Sequence, residues 1–76
     1  MPIDSNSSIQ KQFGANLQKI RLAKGLSLRA LAANCSLDDS NISKIEQGKV
    51  DIQLSTLFEL AKGLDMEPME LLNFRN

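Results

Sequence analysis

The sequence has no histidine, no tryptophan, no tyrosine and a single cysteine, Cys35. One cysteine cannot form an internal disulfide, so packing alone has to hold the fold, which suits a reducing cytoplasm. With no histidine, and with one thiol among scattered carboxylates, the chain lacks the donor set of a metal site. No nucleophile–base pair, paired carboxylates or glycine-rich phosphate loop stands out, so neither enzyme chemistry nor a cofactor is expected. No apolar run approaches the roughly 18 residues of a membrane span. The polar start, PIDSNSSIQ, does not read as a signal peptide or a lipidation site.

An excess of charge is also missing. Nine basic residues balance nine acidic ones over 76 residues, and that length suffices for one small domain. Neutrality weighs against nucleic-acid binding, but the charges are unevenly placed. Residues 1–50 carry seven Lys/Arg against four acids, a net of +3, and residues 51–76 carry two against five, a net of −3. A basic half can face an anion while the acidic half faces away.

What is present is helical patterning. Residues 1–7 read as a disordered tail and 8–76 as one domain. Ser7 and Gln10 have the spacing of a capping box. Ile9, Phe13, Leu17 and Ile20 then recur at helical spacing, which predicts a first helix over 8–24 ended by Gly25. Ser27 is a suitable N-cap for a second helix over 28–34, with Leu31, Ala32 and Cys35 as its buried stripe. After the turn at 35–37, Asp38 caps a third helix over 39–47 that turns Ile42 and Ile45 inward and ends at Gly48. A fourth helix is predicted over 54–63 with Leu57, Leu60, Ala61 and Leu64 as its stripe and Asp65 as a left-handed cap. Pro68 opens a fifth short helix. The segment LRALAANCSLDDSNISKIEQG thus has the layout of two short helices around a tight turn, and the expected class is all-α with five helices.

The string IR-x₃-GLSL-x₂-LA, followed by S-x-IS-x-IE-x-G, STL-x₂-LA-x₂-L and ELL, resembles the Cro/repressor-like (Xre-type) helix-turn-helix domain. The resemblance runs from about Leu17 to Leu72 and implies a lambda-repressor-like fold that docks its third helix in the major groove of double-stranded DNA. It implies that Arg21 and Glu46 form a structural ion pair tying the first helix to the third; a phosphate contact by Arg21 is the alternative. Asp39, Ser40, Asn41, Ser43 and Lys44 become the candidates to touch DNA, with Lys44 suited to guanine and Asn41 to adenine or a phosphate. Asp39 departs from the uncharged or basic residue frequent in the family; it either strengthens the cap beside Asp38 or accepts from cytosine. Ser27, Arg29 and Lys49 are candidate phosphate contacts. Leu28 stands where many relatives have Gln, and it either touches a thymine methyl or packs inward.

The resemblance further implies a two-fold dimer through the fourth and fifth helices, with Phe58, Met69, Leu72 and Phe74 as its expected residues. Cys35 reads as a structural thiol. Together these features describe a cytoplasmic, sequence-specific transcriptional regulator that binds a palindromic operator as a homodimer. An autoregulating controller or a repressor fits, and contact with RNA polymerase would follow from where the operator lies. The alternative is a protein-interaction module that keeps the fold and has lost DNA binding, which neutrality and the Asp38–Asp39 pair favour.

Overall fold

The computed structural model describes residues 6–74 as five helices: α1 (Asn6–Ala23), α2 (Leu28–Ala33), α3 (Asp39–Glu46), α4 (Leu54–Leu64) and α5 (Pro68–Leu71). No strand occurs among the described residues. No helix among them is long and apolar enough to cross a membrane.

Most helix ends have a local chemical cause. Gly25 (φ 72°) and Gly48 (φ 75°) take the left-handed conformation that only glycine adopts without a Cβ penalty. Behind each, two backbone bonds close a Schellman motif: Leu26 N–H to Arg21 O with Gly25 N–H to Leu22 O, and Lys49 N–H to Lys44 O with Gly48 N–H to Ile45 O. Asp65 repeats the geometry at φ 56° without being glycine, as an Asp can. At α5, Pro68 occupies the first turn, and the side chains of Glu67 and Glu70 cap each other's backbone N–H.

α1 begins two residues before its expected start, so Ser7 lies inside the helix rather than at its cap, and α1 crosses the boundary drawn between residues 7 and 8. Most of the expected tail, residues 1–5, lies outside the described residues.

The core is the sum of the inward stripes. Leu17, Leu31, Ile42, Leu60, Leu64 and Leu71 are fully buried, with Phe13, Ile45, Leu57 and Ala61 around them. Each large side chain contributes about 1.5–3 kcal/mol of hydrophobic free energy. α1 packs on α3 and α5, α2 on α3 and α4, and α4 on α5. The α1–α3 crossing is close because of Gly14: a Cβ there would lie 2.5 Å from the Glu46 carbonyl oxygen and against that of Ile45. Asn16 Nδ2 donates to Leu71 O at 3.0 Å and ties α1 to α5.

Two positions differ from the expected core. Ile9 is exposed at 39% of its surface, because the N-terminal end of α1 borders an open groove. Cys35 is half-buried, and its thiol donates to Leu31 O at 3.4 Å.

Candidate nucleic-acid interface

α2 and α3 meet across the turn at 34–38. The turn is held from outside the motif: Glu59, on α4, accepts from Ser36 N–H at 3.0 Å, and Asn34 Nδ2 donates to Gly63 O at 3.2 Å. Ser27 caps α2, its Oγ accepting from Ala30 N–H at 3.0 Å. Asp38 caps α3, its Oδ1 accepting from Asn41 N–H at 2.8 Å and from Ser40 Oγ at 3.2 Å. Asp38 and Asp39 both sit at the positive end of the α3 dipole, where negative charge is favourable.

The inward side of α3 carries Ile42, Ile45 and Glu46, all buried. This fixes the opposite side as a row of Ser40, Asn41, Lys44 and Gln47, all exposed. Among the described residues, the Asn41 and Lys44 side chains make no hydrogen bond or ion pair. Ser43 is half-buried and accepts from Gln47 Nε2 at 2.9 Å. Lys49 is exposed just beyond the end of α3, and Arg29 is exposed at the second position of α2. Arg29 Nε lies 4.0 Å from Asp39 Oδ2. Of the expected DNA-facing residues, Ser40, Asn41, Lys44, Lys49 and Arg29 are therefore open to a partner; Ser43 is partly withdrawn, Ser27 is engaged as a cap and Asp39 faces Arg29. Leu28 is half-buried and packs on the core.

Arg21 and Glu46 join α1 to the C-terminal end of α3. Arg21 Nε donates to Glu46 Oε2 at 2.6 Å and Nη2 to Oε1 at 3.1 Å, a bidentate pair. Arg21 Nη1 donates to Leu26 O at 2.8 Å. The side chains are only 8% and 4% exposed. The hydrogen bond to Glu46, together with its charge, raises the guanidinium above its ordinary pKa, and burial opposes the shift. Arg21 is thus enclosed by protein rather than presented to a phosphate.

A second surface lies on the far side. A groove of about 350 Å³ opens between the start of α1, the α3–α4 loop and α4, lined by Ile9, Phe13, Ile52, Leu54, Leu72 and Phe74. Phe58, Met69 and Leu72 are exposed by 56%, 73% and 52%. Phe74, expected beside them as a contact residue, is instead half-buried against Phe13 in an edge-to-face pair with ring centroids 6.5 Å apart. Leu54, 72% exposed, was not singled out from the sequence. The signal lay in its spacing, since Leu54 and Phe58 are one turn apart and both fall off the buried stripe of α4. The turn-holding role of Glu59 had no such signal. Among the described residues, no cluster of three or more His, Cys, Asp or Glu is placed to hold a metal ion.

A helix-turn-helix family model, HTH_3, matches residues 17–71. The chain is 35% identical to the control protein C.BamHI of Bacillus amyloliquefaciens over 69 residues, which is 90% of this chain and 85% of that one. Its fold is similar to that of the restriction-modification controller protein C.AhdI of Aeromonas hydrophila: TM-score 0.81, 39% identity, covering 84% of this chain and 97% of that one. It is also similar to the controller protein C.Esp1396I, solved as a tetramer in complex with its natural 35 base-pair operator. That match has a TM-score of 0.78 and 28% identity, and covers 84% of both chains.

Proposed function

The chain belongs to the HTH_3 helix-turn-helix family, and from that premise we propose that it is a transcriptional regulator that reads a palindromic operator as a homodimer. The observation that carries this reading is the exposed row Ser40, Asn41 and Lys44, opposite the buried side of α3 and flanked by the exposed cations Arg29 and Lys49. α3 lies in the major groove of each half-site. Lys44 donates to guanine O6 and N7, Asn41 pairs with adenine or a phosphate, and Ser40 and Ser43 supply shorter contacts. Arg29, Lys49 and the Ser27 end of α2 engage the backbone and fix the register. Arg21 and Glu46 do not touch DNA; they hold α3 at the angle from which it reads.

Residues 6–74 act as one domain in the cytoplasm, without cofactor or catalysis. The dimer forms through Phe58, Met69 and Leu72, with Leu54 beside them and Phe74 supporting the face from beneath. Two half-sites bound together offset the lack of net charge. The similarity to restriction–modification controller proteins supports an autoregulating controller of such a system as the specific form of this role. Placement of the operator decides between occlusion of RNA polymerase and contact with it.

The two acids that favoured an interaction module have local explanations, since Asp38 is the cap and Asp39 faces Arg29. The test is selection of bound duplexes from a random library, followed by titration of the enriched duplex against salt. A palindrome should be enriched. Two backbone cations per protomer give four per dimer, hence a slope of log K against log salt of about −4. No enrichment at low salt, or affinity indifferent to salt, would return the weight to the interaction module.

A further inference from the structure

The two carboxylates that open α3 are used differently. Asp38 is occupied by the helix itself, accepting from Asn41 N–H and Ser40 Oγ. Asp39, one position on, is not needed as the cap. Its Oδ2 faces Arg29 Nε at 4.0 Å, across the mouth between the N-terminal ends of α2 and α3. The Arg29 side chain is otherwise 90% exposed and Asp39 is 50% exposed.

We infer that Asp39 is a positioning residue for Arg29, and that through it Asp39 sets how sharply the protein distinguishes its operator from other DNA. The inference rests on the reading of α3 as the DNA-reading helix. A guanidinium at the end of an unrestrained side chain follows whichever phosphate comes near, and so assists every sequence alike. A phosphate contact made from a fixed position does something else: it fixes the register in which the neighbouring bases are read. Asp39 lies 4.0 Å from the Nε edge of the guanidinium, and the two Nη groups of the planar fork keep their donors for a phosphate. Its charge also repels phosphates, and that repulsion falls on operator and non-operator DNA equally. Asp39 therefore lowers general affinity while it restrains the one cation that would otherwise bind without discrimination. The coupling of an exposed pair of this kind is worth about 1.4-fold to 5-fold in an equilibrium constant.

The test is a double-mutant cycle read as the ratio of affinities for two duplexes of equal length: the one enriched by selection and a scrambled one. Asp38 remains as the cap in Asp39→Asn, so α3 stays formed. Asp39→Asn should strengthen binding to the scrambled duplex and lower the ratio about threefold. Asp39→Glu, which keeps the charge, should restore most of it. In an Arg29→Ala background, Asp39→Asn should raise both affinities together and leave the ratio unchanged. A ratio that stays constant or rises in Asp39→Asn alone would overturn the inference. So would an equal fall in the Arg29→Ala background, which would show that Asp39 contacts a base directly. If the unsubstituted protein shows no preference for any duplex, the functional reading fails first and the inference with it.

Discussion

Replacing Glu46 by Ala should cost this domain a large part of its stability. The substitution removes both carboxylate oxygens from Arg21, at 2.6 and 3.1 Å, and leaves a guanidinium that is 8% exposed with Leu26 O as its remaining partner. Breaking a buried pair on one side costs about 3–5 kcal/mol, because the stranded charge has lost its hydration and its partner together. A domain of this length has only about 4–11 kcal/mol in total. At the lower loss, the thermal midpoint should fall by about 12–24 °C. The assay is urea unfolding at fixed protein concentration, with Glu46→Ala, Glu46→Leu, Arg21→Met and the combination of Arg21→Met with Glu46→Leu measured side by side. The double variant should be more stable than either single one, since it buries no unpaired charge. A loss below about 1 kcal/mol, the worth of a surface pair, or a double variant that merely sums the two single losses, would refute the reasoning. The pH dependence follows from the sign of the shift. A guanidinium whose pKa is raised on folding contributes fully below its unfolded value and loses that contribution only as pH rises through the higher folded one. The gap between wild type and Arg21→Met should therefore stay flat from neutrality to a pH of about 10.

Three further outcomes are expected. Lys44→Ala should relax the base preference at one position of the half-site, whereas Lys49→Ala should weaken all sequences alike and reduce the salt slope; a binding-site selection repeated on each variant separates the two. Met69→Asp, on a residue 73% exposed, should yield monomers by light scattering with the fold intact by circular dichroism, and an unchanged mass would move the dimer face elsewhere. Gly14→Ala should destabilise the domain by about 1–3 kcal/mol in urea unfolding, because its Cβ meets backbone carbonyls that have no room to retreat.

Features with local causes were legible in the sequence. Gly25, Gly48 and Asp65 end helices through their own backbone preferences, and Ser27 and Asp38 cap through their own side chains. The stripe Leu57, Leu60, Ala61 and Leu64 is likewise a property of one helix. Features set by tertiary placement were not. Periodicity put Ile9 on the same face as Phe13, but not how far the α3–α4 loop extends over that face. The sequence does not show that Phe74 packs within the chain, because its partner, Phe13, is at the other end of it. Glu59 holds the α2–α3 turn from another helix. The Arg29–Asp39 approach depends on the angle between α2 and α3, which neither helix encodes alone. The contact between Arg21 and Glu46 was reachable only through a family resemblance, because periodicity says which face a residue takes and not which residue it meets.

The division of α3 into two sides has an evolutionary consequence. The side chains of α3 that hold it in place are Ile42, Ile45 and Glu46, together with the Asp38 cap. Asn41 and Lys44 are exposed, and among the described residues their side chains make no hydrogen bond or ion pair. Substitutions at such surface positions usually change stability by no more than about 0.5 kcal/mol. Duplicated copies of this gene can therefore drift to new addresses on a chromosome in a few mutational steps, each step still a folded protein, until paralogues sharing one cell no longer answer to each other's promoters.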